Sequence, residues 1–318
     1  MVILITGGAG YIGSVIVESF VDTHKVVVLD NLSTGKEQLI NPKATFIKGS
    51  ILNKKILDKL FAQYKFDLVI HLAAKAVVPE SVLKPKLYMN VNVNGTNNIL
   101  KSMYKYRCNK IIFASSAAVY GKQKQIPITE TALKRPCNPY GTSKLKAEQL
   151  IINSHFKYCI LRFFNAAGAS KSLKYGMMKD HPTLLITAVN KTLINGKPPI
   201  IFGNKYKTKD GTCVRDYVHV EDLMLACKLC IKYLQTHSSG IFNLGSGKGD
   251  SVLEVVKLAC EINKKALIYD VKPNRLGDPS TLLASIVLAN TILKWRPKYG
   301  LKDMIKTDYQ FRLKNHLK

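Results

Sequence analysis

The sequence lacks the long apolar run that a membrane-spanning helix requires. Its 318 residues are 47% hydrophobic and 22% charged, but no stretch reaches the roughly 18 consecutive apolar residues of such a helix. The first residues, MVILITGGAG, also lack the charged leader and small-residue cleavage site of a signal peptide. We therefore expect a cytoplasmic protein that buries a full core in one large domain or two intimately joined ones.

The cysteines do not have the number or spacing of a disulfide framework. The seven cysteines are odd in number and scattered from Cys108 to Cys260, so we expect buried, reduced thiols. Cys227 and Cys230 have the spacing of a metal or redox pair, but EDLMLACKLCIKYL around them has helical apolar periodicity and no second cysteine pair. This pattern favours a core helix face, and we predict no metal site.

Acidic residues are scarce. The chain has 48 Lys and Arg against 21 Asp and Glu, a net charge of +27, and such a balance would suit a nucleic-acid binder. However, the lysines are spread along the whole chain, without a block of five or six and without a basic helix interleaved with aromatics. The pattern favours a solvated lysine-rich surface, which could help to gather an anionic substrate, over a nucleic-acid or membrane partner.

A glycine-rich loop follows the first predicted strand, VILIT. Gly8, Gly10 and Gly13 satisfy G-x-G-x-x-G, and Gly7 extends the loop; such a loop lets the backbone approach a pyrophosphate at a helix N-terminus. The next predicted strand, KVVVLD, ends in Asp30, which would accept hydrogen bonds from the adenosine ribose and repel the extra phosphate of NADP. The loop and Asp30 together predict NAD binding. The alternatives are a purely structural turn for the glycines and a simple strand-end cap for Asp30.

Strands and helices alternate along the following residues. ATFIKG, FDLVIHLAA, KIIFASS and YCILRFFN are separated by helix-length segments such as 85–107. This alternation predicts an α/β fold with a Rossmann-type doubly wound parallel sheet. Ligands bind at the carboxyl ends of such strands, so HLAA and ASSAAVYG are predicted to face a site, although Ser115 and Ser116 would also suit an ordinary turn.

The stretch NPYGTSK predicts the start of a helix. Asn138 is a good N-cap and Pro139 fits the first helical position. Tyr140 and Lys144 then lie one turn apart on the same face, where a phenol and an ammonium would meet. This pair is either packing at a helix end or a base whose pKa the ammonium lowers.

Together these pieces resemble a known family. The matching motifs run in order from residue 1 to about 311: TGGAGYIGS, DNLSTG, HLAA, PESV, NVNGT, SSAAVYG, NPYGTSK, LRFFNAAGA, DGTCVRDYVHVEDL, FNLGSG, RLGDP and DMIKTDYQF. The chain resembles the extended short-chain dehydrogenase/reductases, and within them the NAD-dependent isomerases that interconvert UDP-glucose and UDP-galactose at C4 in galactose metabolism.

The resemblance implies a catalytic group of three residues. Tyr140 would be the acid/base, Lys144 would bind the nicotinamide ribose and lower the pKa of the phenol, and Ser116 would hydrogen-bond the sugar 4-hydroxyl. An ammonium about 5 Å from a phenolate, at an effective dielectric near 20, contributes ~3 kcal/mol, or roughly two pKa units. The implied reaction is a transient oxidation to a 4-keto sugar with NAD held tightly.

The resemblance also implies two sets of binding residues. Those expected to line NAD are Gly7, Gly10, Tyr11, Ile12, Asp30, Asn31, Ser33, Gly35, Ile51, Ala73, Asn92, Tyr140, Lys144 and Phe164. Those expected to hold the UDP-sugar are Ser116, Tyr140, Asn165, Arg215, Arg275, Asp278 and Leu282. Leu282 stands where a bulky Tyr goes with plain hexoses and small residues admit N-acetyl groups, so UDP-N-acetylhexosamines are possible further substrates.

An interleaved domain organisation follows from the same resemblance. Residues 1–165 and 215–243 would form the NAD-binding Rossmann domain, and residues 166–214 and 244–318 a smaller UDP-sugar-binding α/β lobe. Helices over 85–107 and 139–156 would pair across a two-fold axis in a homodimer.

Two rival activities are disfavoured by particular residues. A 4,6-dehydratase needs an acid and a base just after the strand-end serine, where this chain has Ala117 and Ala118. A non-catalytic NAD-sensing regulator would be expected to lack the tyrosine or the lysine, and this chain keeps both. The family's usual residues are absent at four positions near the predicted site: Ser50, Ala118, Phe163 and Thr183.

Overall fold

The computed structural model describes residues 1–179, 182–237, 239–274 and 279–317. The strands are β1 (Val2–Thr6), β2 (Lys25–Asp30), β3 (Thr45–Lys48), β4 (Leu68–His71), β5 (Lys110–Ser116), β6 (Lys157–Phe163), β7 (Asn165–Ala167), β8 (Ile200–Phe202), β9 (Val214–Arg215), β10 (Tyr217–His219), β11 (Ser239–Leu244), β12 (Asp250–Ser251), β13 (Asp270–Lys272) and β14 (Thr281–Leu282).

The α-helices are α1 (Tyr11–Phe20), α2 (Lys54–Tyr64), α3 (Val78–Leu83), α4 (Pro85–Tyr88), α5 (Gly95–Lys105), α6 (Pro139–Ile152), α7 (Leu185–Ile194), α8 (Val220–Thr236), α9 (Val252–Asn263), α10 (Val287–Ile292) and α11 (Leu301–Lys314). Short 3-10 turns cover Glu37–Leu39 and Ala117–Val119, and a π-helical segment covers Met89–Asn94.

The chain divides into two compact units. The first unit comprises Met1–Lys122, Ala132–Arg162 and Met224–Phe242, and the second unit comprises Gln123–Thr131, Phe163–Leu223 and Asn243–Lys318. The assignment of NAD to one lobe and of UDP-sugar to the other stays a prediction.

A seven-stranded sheet organises the first unit. Its strand order is β11-β6-β5-β4-β1-β2-β3, and the ladders from β3 through β5 are parallel. Strands β1 and β2 consist largely of Val, Ile and Leu side chains that are almost fully buried, as in parallel sheets that helices cover on both faces. The predicted α/β class with a Rossmann-type parallel sheet is confirmed, and the structure places the reversal of strand order at β1.

The helical segment predicted at 85–107 contains an irregularity. It runs as α4, then the π-helical turns of Met89–Asn94, then α5, which ends at Lys105. A π segment inserts an extra residue into the helix and redirects the side chains around it; here it includes Asn92, which is 2% exposed. The second predicted helix, 139–156, ends earlier, at Ile152.

Small sheets and three packed helices build the second unit. Strand β7 pairs with β10, β8 pairs with β13, and β12, β9 and β14 form a three-stranded sheet. The core of the unit includes Ile186 and Val189 of α7, Val255 of α9 and Ile305 of α11, all at most 3% exposed.

The cysteines lie in the described part of the chain and carry free thiols. Cys227 and Cys230 are fully buried in α8, so the predicted core helix face is confirmed. Within the described ranges, no three His, Cys, Asp or Glu side chains are grouped to hold a metal ion. Among the same residues, no helix is both long enough and apolar enough to cross a membrane.

Candidate active site

Polar side chains end four neighbouring strands of the sheet. Thr6 ends β1, Asp30 ends β2, His71 ends β4 and Ser116 ends β5. Because these strands are parallel, the four residues share the carboxyl edge of the sheet, where ligands of open α/β sheets bind.

The loop between β1 and α1 requires its glycines. Gly7 has φ +77°, and a Cβ built on it would lie 2.7 Å from the backbone nitrogen of Ala73. A Cβ on Gly13 would overlap the Gly7 carbonyl. Gly10 is the N-cap of α1, and no side chain of the described residues caps it. A helix start without a side-chain cap, preceded by a loop that permits close backbone approach, is a typical site for an anion.

Asp30 is held by backbone amides at the end of β2. Its carboxylate accepts hydrogen bonds from Ala9 N at 3.1 Å and from Leu32 N at 2.8 Å. Burial raises the pKa of Asp30, while these two amides oppose the rise. The carboxylate therefore has a set position beside the glycine loop and retains acceptor capacity for a ribose hydroxyl.

Helix α6 begins as the sequence predicts. Asn138 is the N-cap and accepts a hydrogen bond from Gly141 N at 2.9 Å, with Pro139 at the first helical position. Tyr140 follows in the first turn and is half-buried. Burial raises the pKa of Tyr140, and a hydrogen bond with the Ser116 side chain lowers it.

The two adjacent serines of β5 have different surroundings. Ser116 is half-buried, and its hydroxyl oxygen also accepts a hydrogen bond from Ala118 N at 3.2 Å. Ser115 is 3% exposed and donates to the carboxylate of Glu148 at 2.5 Å. Ser116 can thus reach a ligand together with Tyr140, whereas Ser115 belongs to the interior.

Lys144 lies one turn after Tyr140 and is 4% exposed. Its ammonium donates to Ala114 O at 2.7 Å and lies 4.8 Å from the centre of the Phe113 ring. Burial lowers the pKa of Lys144 to about 7, although the nearby charge of Glu148 raises it. The predicted lowering of the Tyr140 pKa by this ammonium stays a prediction.

A buried ion pair beneath these residues was not predicted. Arg162 binds Glu148 in two places, Nε to Oε1 at 3.0 Å and NH2 to Oε2 at 2.7 Å, and both side chains are 1% exposed. Arg162 also donates to Tyr120 at 2.9 Å. Glu148 follows Lys144 by four residues on the same helix face, a spacing that relates these two residues and gives no signal for the partner Arg162.

The remaining residues predicted to line NAD differ in exposure. Asn31 and Ser33 are exposed, Ile51 is 5% exposed and Ala73 is half-buried. Tyr11 and Ile12, both half-buried, form the first turn of α1, and Gly35 is buried, with a built Cβ 2.9 Å from Ala9 O.

Asn92 has its own partners within the protein. Its side-chain oxygen accepts from Lys75 N at 2.8 Å, and its amide group donates to Lys75 O at 3.0 Å and to Ser143 Oγ at 2.8 Å. Both amide hydrogens are therefore used inside the first unit.

The second unit contains Phe164 and three residues of the predicted UDP-sugar set, Asn165, Arg215 and Leu282. Leu282 on β14 pairs with Arg215 on β9 in parallel register. Arg215 donates to Pro279 O at 2.8 Å. Asn165 donates through its backbone and its side chain to the carbonyl of Asp216, at 2.9 and 2.8 Å. The fold therefore brings Asn165, Arg215 and Leu282 together through adjacent short strands.

The side chain of Asp216 connects further loops of the second unit. Its carboxylate accepts hydrogen bonds from the backbone and side chain of Ser246, from Gly247 N at 3.1 Å and from Ala284 N at 2.9 Å. These contacts fix the loop after β11 beside the strand that carries Arg215. The other two predicted substrate residues, Arg275 and Asp278, lie outside the described residues.

Comparison with known proteins extends these observations. A model of the NAD dependent epimerase/dehydratase family matches residues 3–245. A UDP-glucose 4-epimerase from Lactobacillus helveticus is 41% identical over 326 residues, covering 100% of this chain and 98% of that protein.

Solved structures agree over the full length. The crystal structure of a UDP-glucose 4-epimerase superposes with a TM-score of 0.96 at 39% identity, covering 99% of this chain and 98% of that chain. That of the Bifidobacterium longum UDP-glucose 4-epimerase, in complex with NAD+ and UDP, has a TM-score of 0.93 at 33% identity and covers 100% and 99% of the two chains.

The parallel sheet, the glycine loop and the acid at the end of β2 are those of a dinucleotide-binding α/β protein. At the level of sequence, the chain belongs to the NAD dependent epimerase/dehydratase family. The predicted family and its dependence on NAD are thereby confirmed.

Proposed function

We propose that this chain interconverts UDP-glucose and UDP-galactose by inverting C4 through a transient 4-keto sugar. The observation that carries the proposal is the hydrogen bond between Ser116 and Tyr140 at the capped start of α6, in a chain similar over its full length to UDP-glucose 4-epimerases. The reaction has no net redox change, so the cofactor stays bound during turnover.

Tyr140 is the acid/base of the proposed reaction. As a phenolate it takes the proton of the 4-hydroxyl, and Ser116 hydrogen-bonds the same hydroxyl and orients it. The proton returns from Tyr140 to the sugar oxygen when the opposite face of the ketone is reduced. Lys144, as an ammonium, favours the charged form of the phenol and binds the nicotinamide ribose.

The first unit fits NAD. When bound, NAD supplies the reversible hydride acceptor for C4. The glycine loop leaves room that a Cβ would fill at Gly7 and Gly13, and the first amides of α1 would meet the pyrophosphate. Asp30 would accept hydrogen bonds from the adenosine ribose. Further contacts are proposed for the remaining residues expected to line the cofactor: Gly10, Tyr11, Ile12, Asn31, Ser33, Gly35, Ile51, Ala73, Asn92 and Phe164.

Residues of the second unit hold the UDP-sugar in this proposal. The guanidinium of Arg215 suits a pyrophosphate because its planar donors match phosphate oxygens in pairs. Asn165 binds the sugar nucleotide from β7, where its position is set by the Asp216 carbonyl. Roles for Arg275 at the pyrophosphate and Asp278 at the uridine ribose are carried by the family resemblance alone.

Incubation of the purified protein with UDP-galactose tests the proposal. Chromatography should reveal UDP-glucose without added NAD, approaching the same mixture from either sugar. A protein that carries bound NAD and yields no UDP-glucose would contradict the proposed activity. A 4,6-dehydratase would instead release a 4-keto-6-deoxy sugar nucleotide, which chromatography separates.

A second candidate substrate class, the UDP-N-acetylhexosamines, is favoured by Leu282. This residue is half-buried beside Arg215, and its side chain is shorter than a Tyr at the same place. Leu282→Tyr should reduce turnover of UDP-N-acetylglucosamine more than that of UDP-glucose. Equal N-acetyl activity in both proteins would remove Leu282 as the limit on the 2-substituent.

The proposal includes a homodimer in the cytoplasm, as the family resemblance implies. Sedimentation of the purified protein checks the first part and fluorescence microscopy of the tagged protein in its own cells checks the second.

A further inference from the structure

A chain of hydrogen bonds runs through the ring of His71 at the end of β4. Ala73 N donates to Thr6 Oγ1 at 3.3 Å, and Thr6 Oγ1 lies 2.7 Å from His71 Nδ1. His71 Nε2 lies 2.9 Å from Thr96 Oγ1, and Thr96 Oγ1 donates to Asn92 O at 2.6 Å. Thr6, His71, Thr96 and Asn92 are each at most 2% exposed.

Donor and acceptor can be assigned at each hydrogen bond from Ala73 to Asn92. The single hydroxyl hydrogen of Thr96 is used by the carbonyl of Asn92, so Thr96 can only accept from His71 Nε2. His71 Nε2 therefore carries a hydrogen, and Nδ1 of the neutral ring accepts from the Thr6 hydroxyl. Thr6 in turn accepts from Ala73 N. Each polar group in this chain of hydrogen bonds has a partner, as buried polar groups require.

The charge of the ring agrees with this direction. Burial, together with the positive charge of Lys144, lowers the pKa of His71 to about 3. A second ring hydrogen, on Nδ1, would also point at the Thr6 hydroxyl, which would then lose the acceptor for its own hydrogen. The ring is therefore neutral near neutral pH, and it adds no second positive charge beside Lys144.

Beyond Asn92 the chain reaches the proposed catalytic helix. The side chain of Asn92 holds both backbone groups of Lys75 and donates to Ser143 Oγ, and Ser143 Oγ donates to Tyr140 O at 2.7 Å. The π-helical segment Met89–Asn94 places Asn92 where it can make these contacts. The side chains of Thr6, His71, Thr96, Asn92 and Ser143 thus join the end of β1 and the loop after β4 to the first turn of α6, in addition to the backbone ladder between β1 and β4.

We propose that His71 is a positioning residue, held as the neutral Nε2–H tautomer, whose hydrogen-bond chain through Thr96 and Asn92 aligns the loop after β4 with the first turn of α6. The role in turnover rests on the proposed function; the tautomer does not. His71 itself touches neither substrate nor cofactor in this assignment, because both ring nitrogens are engaged within the protein.

Nitrogen NMR of the intact protein, labelled with ¹⁵N only in histidine, tests the tautomer. His71 is assigned as the pair of ring signals missing from His71→Gln. The expected pair is that of a neutral ring protonated at Nε2, unchanged between about pH 5.5 and about pH 8.5. A ring protonated at Nδ1, or one that titrates in this range, would overturn the proposal whatever the activity of the protein.

Two substitutions of Thr96 test the positioning role. Thr96→Val removes the acceptor for His71 and the donor for Asn92 with little change of shape, and Thr96→Ser keeps both. With UDP-galactose we expect Thr96→Val to lower kcat about tenfold, with KM changed less than about twofold and NAD retained, because alignment acts on the reacting geometry. Thr96→Ser should remain close to the wild type.

The outcomes separate the two proposals. Turnover of UDP-galactose by the wild type bears on the proposed function alone. Wild-type kcat in Thr96→Val, or equal losses of kcat in Thr96→Val and Thr96→Ser, would overturn the positioning role. If Thr96→Val fails to fold, the NMR measurement on the wild type still decides whether His71 is the Nε2–H tautomer that the proposal requires.

Discussion

Two helices of the first unit begin differently, and the difference follows from what each start is used for. The N-cap of helix α1 is Gly10, and no described side chain caps its first turn. The N-cap of helix α6 is Asn138, whose side chain accepts a hydrogen bond from Gly141 N. A start without a side-chain cap keeps its amides for an anion, whereas a capped start fixes the side chains of its first turn.

The residues around the two helix starts differ in the same way, in that backbone atoms make the contacts at one start and side chains make them at the other. Around α1 the contacts are made by backbone, with built Cβ atoms at Gly7 and Gly13 falling on other main-chain atoms. Around α6 they are made by side chains: Tyr140 meets Ser116, and Lys144 meets Ala114 O. The first start therefore suits recognition of a phosphate and the second suits proton transfer.

The largest effect is expected at the start of α6, from Tyr140→Phe. Loss of the phenol removes the group that moves the proton, and we expect kcat with UDP-galactose to fall by about 10³-fold or more. Bound NAD, measured after denaturation, should remain as in the wild type. Tyr104→Phe is the control, since Tyr104 is 78% exposed. Full turnover by Tyr140→Phe would remove the distinction between the two helix starts.

The second effect is expected at the start of α1, from Gly13→Ala. Its Cβ would overlap the Gly7 carbonyl, so the loop must shift away from the position that a pyrophosphate needs. We expect the variant to be purified with less than about a tenth of the bound NAD of the wild type, a loss of affinity of about 1.4 kcal/mol or more.

The control for that loss is Gly300→Ala at the start of α11. Among the described residues, a Cβ on Gly300 meets only Asp303 Oδ2, at 3.9 Å, so NAD content should be unchanged. Equal NAD content in Gly13→Ala and Gly300→Ala would mean that the loop does not bind the cofactor.

Both helix starts could be predicted from the sequence because their signals are local. The glycine spacing after VILIT and the Asn138-Pro139 pair each act within a few residues. The parallel sheet could also be predicted, from the alternation of strands and helices.

The interior polar contacts could not be predicted in the same way. The bond between Thr6 and His71 joins residues 65 apart in the chain, and that between Glu148 and Ser115 joins residues 33 apart. Glu148 and Arg162 are charged, and charged residues are mostly exposed unless they are paired. Only the fold shows that this pair is buried.

Asn92 has contacts that its motif does not indicate. The resemblance implies that Asn92 lines NAD, which stays a prediction, and within the protein its amide hydrogens are both used by Lys75 O and Ser143 Oγ. The π-helical segment that carries it has no local sequence signal comparable to a cap or a glycine turn. A role for Asn92 in holding the loop after β4 therefore emerges from the geometry alone.

The third effect concerns the free energy of unfolding, which the buried ammonium of Lys144 on α6 lowers. The pKa of Lys144 is about 7 in the folded protein, below its ordinary value of 10.5. Between these two values the unfolded chain binds more protons than the folded one, so this group makes stability rise with pH across that window. Lys144→Met should flatten the rise and increase the melting temperature at pH 7, while turnover is lost.

Urea unfolding at about pH 7, 8 and 9 measures the slope for each protein. Lys146→Met is the matched control because Lys146 lies on the same helix and is exposed, and its curve should run parallel to that of the wild type. A Lys144→Met protein as pH-dependent as the wild type would show that the ammonium is not the source of the slope.

The smallest effect is expected from the cap of α6 itself, and it compares two asparagines with the same local role. Asn138 caps α6 through Gly141 N at 2.9 Å, and Asn53 caps α2 through Ile56 N at 3.2 Å. Each Asn→Ala change should lower the free energy of unfolding by about 1 kcal/mol. Only Asn138→Ala should also lower kcat, by a few-fold, because it loosens the turn that holds Tyr140, and Asn138→Asp should restore it. Equal kcat in Asn138→Ala and Asn53→Ala would show that the cap stabilises the helix without positioning the phenol.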